Sequence, residues 1–125
     1  MKFAKVVFTL AGVWGLIILT PFYFLFDFVG QKYPPAITHP DLYFGFLGLG
    51  IAWQFAFLLI GRDPVRLRPI MFPAICEKAF YVVSLVALFK AGRIELDQML
   101  VGIPDFLLGC LFVVAAFKTD KGTDT

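Results

Sequence analysis

The stretch VVFTLAGVWGLIILTPFYFLF, residues 6–26, decides the fold, because it is almost wholly apolar and contains no charged side chain. A helix of about 20 predominantly apolar residues crosses the ~30 Å hydrocarbon core of a bilayer. Three further stretches of similar length and character follow at residues 42–60, 70–89 and 99–117. In hydrocarbon, a chain that is not a closed barrel satisfies its backbone polar groups only as helix. The sequence therefore predicts an all-α polytopic membrane protein, a single domain over residues 1–125 built as an antiparallel bundle of four transmembrane helices.

The composition excludes several classes of protein. Hydrophobic residues make up 60% of the chain and charged residues 16%, which is too little polar surface to coat a soluble globule of this size. The formal net charge of +2 is small and scattered, which argues against a nucleic-acid partner. The lipid bilayer is therefore the first partner that the sequence predicts.

Lysine and arginine are distributed unequally over the connections between the spans. One side would carry Lys2, Lys5, Arg62, Arg66, Arg68, Lys118 and Lys121, and the other Lys32, Lys90 and Arg93. The positive-inside rule then places both termini and the arginine-rich connection in the cytoplasm. We expect a cell membrane, in particular a bacterial inner membrane. The polar tail 118–125 is expected to be disordered, and the first span is expected to be retained, because it is too long for a signal peptide and lacks a small-residue cleavage site.

Proline and aromatic residues dominate the end of the first span and the connection after it. Pro21 predicts a kink or the end of regular helix near Thr20. Three prolines stiffen residues 27–41, so we expect an ordered outer loop. Aromatic residues flank that loop at positions Phe22, Tyr23, Phe24, Phe26, Phe28, Tyr33, Tyr43 and Phe44. They are typical of a belt at the membrane interface, with a ligand cage as the alternative.

Small residues at four-residue spacing predict the faces on which the helices pack. Such sets occur at Ala11 and Gly15, at Gly48, Ala52 and Ala56, and at Gly102 with Gly109. They would serve packing within the bundle or contacts between protomers of a homo-oligomer, and the sequence leaves both open. The short connection 61–69 predicts that spans two and three pack as an antiparallel pair.

Polar residues inside the spans form the candidate site, which comprises Gln54, Glu77, Lys78, Tyr81 and Ser84. A charged side chain at a helix centre costs about 2.5–3.5 kcal/mol to insert, so each needs water, a partner or a route to the interface. Adjacent helical positions point about 100° apart, so we expect Glu77 and Lys78 to have separate partners. For Glu77 we expect a hydrogen bond from Gln54, and for Lys78 a route to the cytoplasmic surface. Arg66 or Arg68 would add charge beneath Glu77. Both a structural clamp and a proton-handling or ligand-binding Glu77 remain open.

A second group of polar residues would lie near the outer surface. Asp105 should lean outward from span four and form an outer polar layer with Asp27, His39 and Asp41. Their spacing matches no metal motif, so no metal site and no cofactor are predicted. Cys76 and Cys110 lie inside spans, where free thiols pack as small hydrophobic groups.

Several short motifs carry a resemblance to a known group. They are His39-Pro40-Asp41-Leu42-Tyr43-Phe44-Gly45-Phe46, Trp53-Gln54, Arg62-Asp63-Pro64, Arg68-Pro69-Ile70-Met71, Glu77-Lys78 and Asp105-Phe106-Leu107-Leu108-Gly109. Over residues 34–117 the chain resembles small uncharacterised bacterial membrane proteins related to the DoxX-like four-helix group. The resemblance implies a four-helix inner-membrane bundle and no particular chemistry.

Three functional hypotheses follow. The first is a non-enzymatic accessory or interaction subunit, or a binder of a lipid or quinone, with the Glu77 region as its site. It rests on a buried acid and amide without a set of catalytic partners. The second is a small proton- or cation-coupled transporter that works as an oligomer. The third is an enzyme on a lipophilic substrate that uses Glu77 as acid or base, which would need a cavity beside that residue.

Overall fold

The structure, a computed structural model, describes residues 2–119, and these are mostly helical. The helices are α1 (Lys2–Leu19), α2 (Phe26–Lys32), α3 (Pro40–Arg62), α4 (Met71–Lys90), α5 (Leu96–Leu100) and α6 (Ile103–Thr119). Short 3₁₀ helices occupy Thr20–Phe24 and Arg68–Ile70. Of the tail expected to be disordered, Lys118 and Thr119 continue α6, while Lys121 and the other positions after 119 lie outside the described residues.

Four helical segments are long and apolar enough to cross a membrane. They are Lys2–Phe24, Pro40–Arg62, Arg68–Lys90 and Leu96–Thr119. Large apolar side chains cover their outer surface, and Phe24, Phe72 and Phe117 are each more than 70% exposed. Such a surface is the reverse of a soluble protein's and suits contact with lipid tails. The prediction of an all-α multi-pass bundle of four transmembrane helices is therefore confirmed.

Pro21 ends the first α-helix as predicted. The ring of a proline clashes with the preceding turn and removes a backbone donor. Accordingly, α1 stops at Leu19, and the chain continues as the tighter 3₁₀ helix Thr20–Phe24 before α2 begins. The span is thus completed by a 3₁₀ segment.

Glycines bring α1 and α3 into close contact. A Cβ atom added to Gly12 would lie 2.8 Å from the Gln54 carbonyl oxygen, and one added to Gly61 would lie 3.0 Å from the Thr9 amide nitrogen. Real Cβ atoms rarely come this close to another residue's backbone. Because lipid gives no hydrophobic drive for helices to associate, this close packing itself provides the attraction.

Two of the predicted packing faces lie within the bundle, and the third does not. Ala11 and Gly15 are buried as expected, and Gly102 and Gly109 pack against Leu85 and Lys78 of α4. In α3, however, Ala52 is exposed. The buried face of that helix consists of Leu47, Gly50, Gln54, Phe57, Ile60 and Gly61. Several faces of α3 carry small residues, and only contact with α1 selects one of them.

The sequence did not predict the order of helices around the bundle, but it led us to expect spans two and three to pack as a pair. α1 packs on both α3 and α6, α4 packs mainly on α6, and α3 has only sparse contact with α4. Spans two and three are thus not a closely packed pair, although the short connection joins them. Side chains bridge this wider seam, where the rings of Phe46 and Tyr81 stack with centroids 5.9 Å apart.

Three phenylalanines form the centre of the core. The rings of Phe8 and Phe112 stack with centroids 4.2 Å apart, and Phe57 meets Phe112 edge to face at 5.0 Å. All three side chains are fully buried. The three rings come from α1, α6 and α3. They therefore join the first helix pair, α1 with α3, to the second helix pair, α4 with α6.

The two ends of the bundle differ in charge. At the end where α1 begins and α3 finishes, which we call the basic end, the described residues include six cations and one carboxylate: Lys2, Lys5, Arg62, Arg66, Arg68, Lys118 and Asp63. The opposite end, which we call the loop end, contains α2, α5 and their connections. There Tyr33 donates a hydrogen bond of 3.3 Å to Asp97, and desolvation together with that carboxylate raises the pKa of the Tyr33 phenol.

Part of the predicted aromatic belt packs at the loop end. The hydroxyl of Tyr43 donates to the Phe22 carbonyl over 2.7 Å. The ring of Phe44 stacks on those of Tyr23 and Phe26, with centroids 5.5 and 5.4 Å apart. Phe24 and Phe28 remain exposed on the surface. These contacts tie the end of the first span to the start of α3.

Gly12→Ala tests the close contact between α1 and α3. The new methyl group would collide with the Gln54 carbonyl, so we expect the variant to lose about 1–3 kcal/mol of stability through overpacking. The control is Gly45→Ala, on the α3 surface with nothing within 4 Å, which should be neutral or slightly stabilising. Unfolding in mixed detergent micelles measures both. Equal stability of the two variants would contradict the close packing.

Candidate functional site

The candidate site is centred on the buried side chain of Lys78, in the middle of α4. Lys78 is 4% exposed, and its Cβ lies against Gly109 of α6, where an added Cβ would be 3.2 Å away. Its Nζ atom lies 3.1 Å from Asp105 Oδ1, 3.5 Å from Glu77 Oε1 and 5.2 Å from the centre of the Phe57 ring. The ammonium is therefore surrounded by two carboxylates and an aromatic face.

Lys78 does not reach the membrane surface, and this part of the prediction is wrong. Its Cβ is level with Gly109, whereas its Nζ is bonded to Asp105, one helical turn nearer the start of α6. The side chain thus extends toward the loop end. A buried ammonium needs a close counter-charge, and Asp105 supplies one at hydrogen-bonding distance. The missing side chain at Gly109 leaves room for the lysine stem.

Glu77 and Lys78 are not independent, contrary to the expectation from their helical positions. The lysine stem is long enough to bring Nζ within 3.5 Å of Glu77 Oε1, although the two Cβ atoms point apart. This distance is too long for a good hydrogen bond, and Glu77 Oε1 accepts none in the described part of the chain. The Glu77 side chain is 24% exposed. Asp105 is therefore the closer partner of the lysine.

The expected hydrogen bond between Gln54 and Glu77 is absent. The amide of Gln54 donates instead to the Gly50 carbonyl of its own helix, over 2.7 Å, and its Oε1 has no hydrogen-bond partner among residues 2–119. Gln54 faces α1, where its amide occupies the space beside Gly15. The two residues lie on different seams, because α3 turns its buried face to α1.

The other members of the predicted intramembrane site are also separated. Tyr81 stacks on Phe46, and the Ser84 hydroxyl donates to the Phe80 carbonyl one turn back. At the basic end, Arg66 pairs with Asp63 at 3.1 Å, and Arg68 Nε donates to the Ala116 carbonyl at 3.0 Å. These contacts do not include Glu77, so the arginines bind other groups than the one predicted.

The expected outer polar layer does not assemble around Asp105. That carboxylate faces Lys78, whereas Asp27, His39 and Asp41 are exposed at the loop end. Within residues 2–119, no group of three histidine, cysteine or carboxylate residues is arranged to hold a metal ion. Cys76 is partly buried and Cys110 is exposed, and both are free thiols.

An apolar groove between α4 and α6 opens beside the lysine. It has a volume of about 250 Å³. Its lining residues are Ile75, Lys78, Ala79, Val82, Val83, Asp105, Phe106, Gly109, Cys110 and Val113. Sites for whole small molecules measure about 300–1,000 Å³, so this groove fits a head group or part of a chain. Lys78 and Asp105 are its charged members, and Glu77 does not line it.

The arrangement places one donor and one acceptor, bonded to each other, in the wall of a groove whose accessible surface is almost wholly apolar. Lys78 presents N–H donors, and Asp105 presents carboxylate oxygens, of which Oδ1 accepts from Lys78. The sequence indicated both charges but not their pairing. The signal that points to it is the spacing of Asp105 and Gly109, which places a carboxylate and a gap one turn apart on the same face of α6.

Comparison of the chain with protein-family models, with curated proteins and with solved structures finds no match. The similarity to the DoxX-like group therefore rests on the motif residues alone and stays a prediction.

A double-mutant cycle on Lys78 and Asp105 tests their pairing. Lys78→Met should lose about 3–5 kcal/mol of stability, because it leaves two carboxylates without their cation. The double variant Lys78→Met/Asp105→Leu should be more stable than Lys78→Met alone, because it also removes the nearer unpaired charge. Glu77→Gln is the control and should change stability by less than about 1 kcal/mol. Detergent unfolding measures the wild-type protein, Lys78→Met, Asp105→Leu, the double variant and Glu77→Gln, and strictly additive effects of the two single substitutions would refute the coupling.

Proposed function

We propose that the protein is a non-enzymatic binding or accessory subunit of the membrane that holds the head of a membrane-soluble ligand, of the quinone or lipid class, in the α4–α6 groove. The observation that supports this most directly is the pair formed by buried Lys78 and partly buried Asp105, both of which line that groove. Charges inside membrane spans are costly and are commonly retained for function.

The lining of the groove favours a lipophile with a small polar head. Apart from Lys78 and Asp105 its side chains are mainly aliphatic or aromatic, and valines at positions 82, 83 and 113 face the space. An apolar body would displace lipid tails there without loss of hydrogen bonds. The polar head would then meet the only two charged groups among the lining residues.

The chemistry of the pair favours carbonyl or hydroxyl groups on that head. A carbonyl oxygen would accept a hydrogen bond from the Lys78 ammonium, and a hydroxyl would donate one to the Asp105 carboxylate. A quinone offers the first group and its reduced form the second, so the pair suits either form. A phosphate head is disfavoured, because Asp105 and Glu77 together exceed the positive charge of the lysine when both are ionised.

A fluorescence experiment tests the ligand class. Trp14→Phe leaves Trp53 as the one tryptophan, and Trp53 lies 6.2 Å from the Phe57 ring that contacts Lys78. We expect a short-chain quinone to quench Trp53 saturably in detergent. Added to this background, Lys78→Gln or Asp105→Asn should weaken the apparent affinity about tenfold or more, because each removes a charged partner of the head group.

Glu77→Gln in the same background is the matched control, because it removes a neighbouring carboxylate that does not line the groove. It should change the affinity by no more than about twofold. If quenching depends on Glu77 but not on Lys78, the ligand binds at Glu77, as the sequence predicted, and not in the α4–α6 groove. Quenching that never saturates would argue against a quinone site.

We further propose that the protein lies in a cell membrane with both termini and the basic end in the cytoplasm. Six cations against one carboxylate among residues 2–119 at the basic end support this orientation, since cytoplasmic loops are enriched in lysine and arginine. The bacterial inner membrane is the membrane that the DoxX-like resemblance implies.

Cysteine labelling tests the orientation in cells. In a background where Cys76 and Cys110 are replaced by serine, Thr38→Cys at the loop end should react with a membrane-impermeant maleimide on intact cells. Val65→Cys at the basic end should react only after permeabilisation, because it would face the cytoplasm. Both original residues are exposed, so accessibility to the reagent is matched. The opposite pattern would reverse the topology.

Transport coupled to protons or cations, and catalysis by Glu77, stay predictions. Both were centred on Glu77, whereas Lys78 and Asp105, not Glu77, line the groove. No contact of the described residues gives Glu77 a second catalytic group beyond the shared lysine, so the geometry favours the binding role.

A further inference from the structure

A second groove lies between α1 and α3, near the basic end. Its volume is about 530 Å³, and Thr9, Phe55, Leu58, Leu59 and Arg62 line it. Phe55, Leu58 and Leu59 are apolar, and the side chains of Phe55 and Leu59 are more than half exposed on the outer surface of the bundle. Arg62 is the last residue of α3. The groove thus has apolar walls that end at a guanidinium, at the level where the helix leaves the hydrocarbon.

The guanidinium of Arg62 differs from the other arginines of the basic end. Arg66 pairs with Asp63, and Arg68 donates to the Ala116 carbonyl. Within residues 2–119, Arg62 has no hydrogen-bonding or ion-pairing partner for its side chain. An arginine presents five N–H donors in a planar fork that matches a phosphate group. Arg62 therefore retains its full capacity to bind an anion.

Further positive charge lies beside the mouth of this groove. Gly61 packs so closely on α1 that an added Cβ would be 3.3 Å from the Lys5 carbonyl oxygen, which places Lys5 next to the last turn of α3. The side chain of Lys5 is exposed. The nearby carboxylate of Asp63 is bound to Arg66. The net field at the mouth is therefore positive.

We propose that the α1–α3 groove is a binding site for one anionic glycerophospholipid. An acyl chain would lie along Phe55, Leu58 and Leu59, the phosphate would bind Arg62, and Lys5 would add long-range attraction. This site differs in chemistry from the α4–α6 groove, where two carboxylates surround one lysine and disfavour an anionic head. A basic residue near an anionic membrane surface contributes enough attraction for about a fivefold change in affinity, and a bidentate contact contributes more.

Lipid titration of the full chain in detergent tests the proposal. Native mass spectrometry would compare phosphatidylglycerol with phosphatidylcholine of the same acyl chains. We expect the wild-type protein to bind phosphatidylglycerol about fivefold to tenfold more tightly. Arg62→Gln should reduce this preference to about twofold or less, because it removes the phosphate contact.

Arg66→Gln is the matched control. It removes the same charge at the same end of the bundle, but from a side chain that is 75% exposed, already paired and outside the groove. It should keep the preference. Arg62→Lys keeps the charge but not the fork and provides a second variant if Arg62→Gln fails to fold. Its preference should fall by at least about half.

Four results would overturn the proposal. The first is equal affinity of the wild-type protein for both lipids. The second is an unchanged preference for phosphatidylglycerol in Arg62→Gln or in Arg62→Lys. The third is an equal loss of that preference in Arg62→Gln and Arg66→Gln, which would indicate that only the net charge of the basic end matters. The fourth is competition by millimolar inorganic phosphate that displaces the lipid, which would indicate a site for free phosphate.

Discussion

The need of a buried ammonium for a counter-charge determines the arrangement of the second helix pair. In water Lys78 would be solvated without help, but within the bundle it is 4% exposed and has the Asp105 carboxylate 3.1 Å away. Removing one member of a buried pair strongly destabilises a protein, because the other charge is left without compensation. The pair therefore fixes the register of α4 against α6. Gly109 is required by the same contact, because a side chain there would crowd the lysine stem.

The first helix pair is held by a different kind of interaction. Between α1 and α3 the contact is steric, through glycines that let backbone approach backbone, and it contains a buried amide rather than a charge. The stacked rings of Phe8, Phe57 and Phe112 then join the two pairs. Phe57 has a double role, because its ring also faces the Lys78 ammonium at 5.2 Å. The aromatic core and the polar site are thus in direct contact.

This division gives the molecule two lipid-facing grooves with opposite electrostatic character. Lys78 and Asp105 line the α4–α6 groove, with Glu77 beside the lysine but outside the groove, and the proposed neutral head group rests on this arrangement. The α1–α3 groove ends at Arg62, whose guanidinium has no partner within residues 2–119 and lies near a lysine, and the proposed phosphate contact rests on this. The two sites lie on different helix pairs, so a variant in one leaves the residues of the other unchanged. The two binding activities that we propose, for a neutral lipophile and for an anionic lipid, can therefore be tested separately.

The sequence by itself determined the four spans, the end of α1 before Pro21 and the small-residue faces of α1 and α6, since these depend on local hydrophobicity, backbone chemistry and side-chain size. It also indicated that Glu77, Lys78 and Asp105 are costly in hydrocarbon and need partners. Only the tertiary structure decided which residues are the partners of these charged side chains. Helical spacing fixes the direction of a Cβ atom but not the path of a lysine stem with four rotatable bonds, and so it did not reveal that Lys78 turns to Asp105. Nor does a single helix specify which of its faces meets a neighbour, which is why Gln54 lies against α1 and not beside Glu77.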